Sequence, residues 1–286
     1  MTDIVTANKD DSARSNREET VDFVKFLAKL LIVIFIFRSF IFSPFNIPSE
    51  SMQPRLLIGD YLFVSKWSYG FSRHSLPFSA PLIPGRILAS QPERGDVAVF
   101  KAPPSNQDDY IKRVIGLPGD SVQMIDGVLH LNGQAVVKEK IEDFVIPVSQ
   151  NMIDAAEQSG EHPCSQQSFQ ERSSNGVTQC RYPRFRETLP SGKSYEVLDL
   201  VDRQIADNTD IYIVPKDSLF LMGDNRDRSQ DSRFAQVDGR GIGFVPQENL
   251  VGKAAFTVFS TDGSASWVLP WTWFSAARWD RIGETF

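Results

Sequence analysis

One apolar run near the N-terminus constrains this chain more than any other feature. Phe23 to Phe42 reads FVKFLAKLLIVIFIFRSFIF, in which 16 of 20 residues are apolar. A helix of that length is about 30 Å long, matching the hydrocarbon core of a bilayer. Lys25, Lys29 and Arg38 lie toward its ends, where long basic side chains can snorkel. Three readings compete. A buried helix of a water-soluble protein would show a polar face, and Leu30–Phe37 shows none. A cleaved signal peptide would be followed by small residues at an A-x-A-like site, whereas Ser43-Pro44-Phe45-Asn46-Ile47 follows. The expectation is therefore an uncleaved transmembrane helix over residues 23–42. Lys9, Arg14, Arg17, Lys25 and Lys29 lie on its N-terminal side or in that end of the span, against Arg38 and Arg55 near the far side. The positive-inside rule then makes residues 1–22 a cytoplasmic tail and puts the bulk of the chain outside. No later stretch is apolar and long enough to suggest a second span.

The remainder has an ordinary globular balance, with 41% apolar and 23% charged residues in 286. A formal charge of −6 argues against a general nucleic-acid binder, which would carry a basic footprint. The two cysteines, Cys164 and Cys180, form no C-x-x-C or Cys/His pair, so neither a metal nor a cofactor is expected. An oxidising compartment permits a Cys164–Cys180 disulfide closing a loop of roughly 15 residues; two free thiols are the alternative.

Beyond the apolar run, short apolar segments alternate with turn signals. Strands are expected at Tyr61–Val64, Val97–Phe100, Tyr110–Ile115, Ile211–Val214, Leu219–Met222 and Ala254–Phe259. Ser121–Ile125 and Val128–Leu131 flank Asp126-Gly127, a pair suited to a type I′ hairpin turn. Many short strands at short spacing point to an all-β barrel or sandwich. Residues 150–210 are polar with weak periodicity and read as a looser excursion carrying the cysteines.

Just past the apolar run stands Pro48-Ser49-Glu50-Ser51-Met52-Gln53-Pro54. A serine nucleophile needs a base, yet His74, His130 and His162 lack any triad-like context, and neither G-x-S-x-G nor S-x-x-K occurs. A lysine can serve if burial lowers its pKa. In Tyr110–Ile115, alternation puts Tyr110, Lys112 and Val114 on one strand face, the most apolar setting of any lysine here; snorkelling from a half-exposed sheet is the bland alternative. Gly223 to Arg233 interleaves Asp224, Asp227 and Asp231 with three arginines, which suits ion pairing or a polar wall better than a calcium loop.

Together P-S-x-S-M-x-P, R-G-D-V-x-V-F, Y-I-K-R-V-I-G-L-P-G-D and G-D-N-R-D-x-S-x-D-S-R resemble bacterial signal peptidase I, the membrane-bound serine protease that removes signal peptides. The resemblance covers Pro44–Val64, Gly95–Phe100, Asp109–Asp120 and Gly223–Lys253 in the family's order. It implies Ser51 as nucleophile, Lys112 as general base, and the Ser49 hydroxyl with the Ser51 N–H as oxyanion donors. It implies that Ser229 orients the lysine, that Asp231–Arg233 and Asp224–Arg113 are supporting ion pairs, and that Phe45, Ile47, Pro48, Met52, Leu56, Tyr110 and Ile111 wall shallow pockets for small residues. The implied fold is mainly β: an antiparallel, barrel-like catalytic core over 43–126 and 219–286, with a variable second β domain inserted at 127–218. The implied setting is the bacterial inner membrane, single-pass, with a periplasmic catalytic domain. Exported preproteins and membrane lipid are the expected partners, nucleic acid is not, and a monomer is expected. One anchor instead of the two of the best-known members, and the extra stretch Gln236–Gly241, set this chain apart. Leu76–Pro84 and the Trp-rich Trp267–Trp279 are further candidates for lipid contact, against packing on the protein's own core. A non-catalytic anchored scaffold is the competing class; a Ser–Lys self-cleaving regulator fits poorly, because residues 1–22 are too few for a DNA-binding domain.

Overall fold

The computed structural model describes residues 4–201, 204–266 and 268–286, with side chains described from residue 18 onward except at Gln204. The first residues of the tail and Trp267 of the aromatic run lie outside the described residues. An α-helix spans Ile4–Ile36, a π-helical turn follows at Phe37–Ile41, and Phe42 opens the first strand, paired with Ser65. This corrects the expected 23–42 span, since its last residues belong to the turn and the sheet. Among the described residues no helix is long and apolar enough to cross a membrane. Lys25 and Lys29 sit within the helix, and Lys25 pairs with Asp22 at 3.0 Å. Its apolar side chains are nevertheless turned outward, with Phe23, Phe26, Leu31, Val33 and Phe35 all exposed.

A seven-stranded antiparallel sheet carries the rest. Its order is Phe42–Asn46, Asp60–Ser65, Leu250–Ser260, Val97–Lys101, Asp109–Gly116, Ser218–Met222 and Val245–Pro246. Every strand expected from the sequence occurs within a residue or a few of its predicted bounds. Leu250–Ser260 pairs on both sides and shifts register against each neighbour. Such bulges bend a strand and increase its twist, which curls the sheet. The sheet thus wraps its apolar faces without closing into a barrel. Ser121–Ile125 and Val128–Leu131 form the expected hairpin, and Asp126 (φ 47°) and Gly127 (φ 70°) adopt the two left-handed conformations that a type I′ turn needs.

Residues 150–210 differ from the looser excursion expected. They hold a helix, Gln150–Ser159, capped by the Ser149 hydroxyl, and the strands Thr178–Tyr182, Arg184–Thr188 and Ser194–Leu198. Their polarity has a structural cause. Outer faces carry ion pairs, Arg184–Glu196 at 3.0 Å and Arg181–Glu171 at 2.9 Å, while Tyr195 and Val197 turn into the core. Alternation is present but hidden by long charged side chains.

Cys164 and Cys180 form a disulfide, buried with Ile146, Met152, Tyr182 and Leu198. Closing a loop of this size is worth about 3 kcal/mol by chain entropy. The Cys164→Ala/Cys180→Ala variant is expected to lose at least that much stability in urea titration at pH 7; an unchanged midpoint would contradict this.

Candidate active site

The serine-bearing turn is held from below and behind. Met52 and Leu56 are wholly buried with Leu62, Val97 and Ala254, and form the hydrophobic footing of the turn. Leu56 N–H donates to Met52 O at 2.9 Å, and Asn225 N–H donates to Ser51 O at 3.1 Å. Lys112 reaches the same point from the centre of the sheet, on the strand Asp109–Gly116, opposite Ala98. Lys112 Nζ donates to Ser51 Oγ at 2.7 Å and to Ile111 O at 3.1 Å. Lys112 is 4% exposed and Ser51 6%. Burial brings the Lys112 pKa from 10.5 down to about 8, partly opposed by the charges of Asp231 and Asp224. A neutral amine within hydrogen-bond reach of a hydroxyl can remove its proton.

A cavity of about 860 Å³ opens over this pair. Phe45, Ile47, Pro48, Tyr110 and Ile111 line it, together with Ser49, Ser51 and Lys112. Ser49 Oγ lies 3.4 Å from Ser51 Oγ. Met52 and Leu56 are not among the lining residues and are wholly buried in the cluster beneath it. The three histidines stand apart from the lining, as their sequence contexts suggested.

The Gly223–Arg233 loop meets Ser51 through the Asn225 N–H and is itself held by two buried ion pairs. Arg113 clasps Asp224 with two bonds of 2.7 and 2.6 Å. Arg233 binds Asp231 at 2.9 and 3.0 Å, and Asp231 in turn accepts from Gly223 N–H at 3.0 Å. Burial works against the Asp231 charge, but Arg233 and the Gly223 N–H hold its pKa below the usual carboxylate value. Ser229 lines the cavity, and among the described residues its buried hydroxyl makes no hydrogen bond to Lys112.

Gly223 is required sterically. A Cβ there would overlap the Ser229 side chain and stand 2.5 Å from Ser51 O. Gly223→Ala is expected to displace the nucleophile and cost roughly 10²-fold in turnover, with the circular dichroism spectrum retained. Activity within a factor of two of the parent would show that the loop yields freely.

Sequence reading missed part of the rim. Arg228 binds Glu50 at 2.6 Å and also pairs with Glu161, tying the serine turn to the disulfide-bearing segment. Val237 and Arg240, from the extra stretch, also line the cavity. No local pattern marks these residues, because they converge from segments far apart in the chain.

A family model described as signal peptidase, peptidase S26, matches residues 20–259. The chain belongs to that family. It is accordingly a peptidase of the kind that cleaves signal peptides. Among its relatives, signal peptidase I of Rickettsia typhi is 35% identical over 259 residues, covering 88% of this chain and 84% of that protein. Signal peptidase I of Rickettsia prowazekii is 34% identical over 259 residues, with the same coverage. Among solved structures, signal peptidase I from Enterococcus faecalis V583 is 26% identical, covering 57% of this chain and 97% of that one. The TM-score of 0.27 is too low for that superposition to bear on the fold.

Proposed function

We propose that this signal peptidase is a serine endopeptidase that cuts exported preproteins after small residues, with Ser51 as nucleophile and Lys112 as general base. The observation that carries this reading is the 2.7 Å contact between Lys112 Nζ and Ser51 Oγ in a buried setting. Neutral Lys112 takes the Ser51 proton as Oγ attacks the scissile carbonyl carbon. Negative charge then builds on the carbonyl oxygen, within reach of the Ser51 N–H and the Ser49 hydroxyl. A donor of this kind is worth about 3–4 kcal/mol in comparable proteases. Protonated Lys112 passes its proton to the leaving amine, leaving an ester on Ser51. Lys112 then deprotonates the water that hydrolyses the ester. Arg113–Asp224 and Asp231–Arg233 act indirectly, by holding the loop that carries Gly223 against Ser51.

The apolar N-terminal segment holds the enzyme at the bacterial cytoplasmic membrane, passing it once, with the tail cytoplasmic and the sheet outside. Support comes from the outward-facing Phe23–Phe37 side chains and from Lys9, Arg14 and Arg17 before them, since Lys and Arg and not net charge set the orientation. The shortness of the apolar section is met by snorkelling of Lys25, Lys29 and Arg38 and by local bilayer thinning. Confinement at the surface raises the effective concentration of a substrate whose own apolar segment is in the bilayer.

The test is cleavage of a signal-bearing preprotein by the detergent-solubilised full chain, with intact-mass analysis of the products. A single cut following a small residue is expected. No cut by folded enzyme at any pH between 7 and 10 would overturn the proposal.

A further inference from the structure

A second cavity, of about 660 Å³, shares Phe45, Asn46 and Asp109 with the first but is not lined by Ser51 or Lys112. It is lined by cations. Arg38 stands exposed at its mouth, in the turn that ends the N-terminal helix. Lys101 lines it too, bonded to Asp109 at 3.1 Å. At its floor is Lys66, only 4% exposed. An ammonium has three donors, and among the described residues Lys66 Nζ has one acceptor, His74 O at 3.3 Å. His74 adds no negative charge, an imidazole being neutral or cationic; its ring accepts from Arg73 Nε at 3.3 Å and meets Ser79 Oγ at 2.9 Å.

Asp109, shared with Lys101, is the single carboxylate against Arg38, Lys66 and Lys101 in the lining. Arg38 is exposed and Lys101 is paired with Asp109, so Lys66 is the buried cation of this lining, and its remaining donors call for an anion of several acceptor oxygens. We propose that this cavity binds the phosphate of an anionic phospholipid headgroup, with Lys66 at its floor and Arg38 at its mouth.

The surroundings favour a lipid over a soluble phosphate. The Pro-rich stretch beside the cavity buries Leu76 but leaves Phe78 wholly exposed and Leu82 largely so. An acyl chain can lie along these side chains while its phosphate enters the cavity. Arg38 follows directly on the outward-facing apolar helix, so the cavity opens where a bilayer surface would be. The choice of lipid rests on the membrane placement proposed above; anion binding does not. Burial, then the like charges of Arg38, Lys101 and Arg86, depress the Lys66 pKa to about 8 against the opposing pull of Asp109. A bound phosphate would relieve that repulsion and restore the full cation.

The test is native mass spectrometry of the full chain released from micelles with equimolar phosphatidylglycerol and phosphatidylcholine. Retention of phosphatidylglycerol at least fivefold over phosphatidylcholine is expected, falling at least fivefold in Lys66→Met and in Arg38→Ser. Arg38 is exposed, so Arg38→Ser keeps the test decisive if Lys66→Met does not fold. Equal retention of the two lipids, or preference unchanged in the folded variants, would overturn the proposal. Displacement by inorganic phosphate as effective as by glycerophosphoglycerol would assign a free-phosphate site and overturn the lipid. Because the readout is lipid retention in micelles, failure of the peptidase reading would not affect it.

Discussion

Lys112→Arg is expected to lower the rate of signal-peptide cleavage by about 10²–10⁴-fold, the usual contribution of a general base. Arginine keeps the charge and the donors but cannot deprotonate near neutral pH. An electrostatic role for Lys112 would survive the change, and a proton-accepting role would not. Ser51→Ala is expected to be inactive as well, and the two losses should not add, because both residues serve one step. The pH profile gives the same discrimination. Only neutral Lys112 can accept a proton, so kcat/KM should rise with pH and level off above an apparent pKa near 8. A profile still rising tenfold per unit at pH 10 would mean that burial does not tune this amine. The same shift carries a stability cost. Between pH 8 and 10.5 the unfolded chain binds more protons at this residue than the folded one, so stability from this group rises with pH across that window. Below it the full cost, roughly 3 kcal/mol, remains. Lys112→Met is thus expected to be inactive yet more stable than the parent in urea at pH 7.

Glu187→Ala is expected to destabilise the protein by about 3–5 kcal/mol, the penalty for stranding a buried charge. Glu187 has no exposure and binds Arg226 through two bonds of 2.7 and 2.6 Å; Tyr195 donates a third at 2.8 Å. Arg226 belongs to the loop that supports Ser51, and its N–H donates to Leu198 O at 2.8 Å. The pair therefore docks the supporting loop onto the inserted strands. Glu187→Leu/Arg226→Met should recover much of the loss, since two apolar side chains of similar volume leave no buried charge. Urea titration of the two variants decides this, and equal losses in both would show that packing, not charge, is what Glu187 supplies.

Legibility from sequence followed the range of the interactions. The hairpin at Asp126-Gly127 was readable because a type I′ turn is a local conformational demand. The strand carrying Lys112 was readable because alternation is local too, and it placed the lysine among apolar neighbours. The Ser51 and Lys112 motifs were readable as a resemblance, since their short patterns occur together in one order. Glu187 was not: in sequence it is one charged residue in a polar strand, and only Arg226, arriving from another segment, explains its burial. Arg228, which bridges Glu50 and Glu161, escaped notice for the same reason. Met52 and Leu56 stand near the nucleophile in the motif, but the motif does not say which way each side chain turns, and both are wholly buried. Sequence alone determined that this chain is mainly β and carries an apolar segment at residues 23–42, because pattern and propensity act between near neighbours. Tertiary structure alone decided that Lys112 is buried enough to be tuned, which charges are paired, and where the helix yields to the sheet, because desolvation and pairing depend on groups that meet only when the chain is folded.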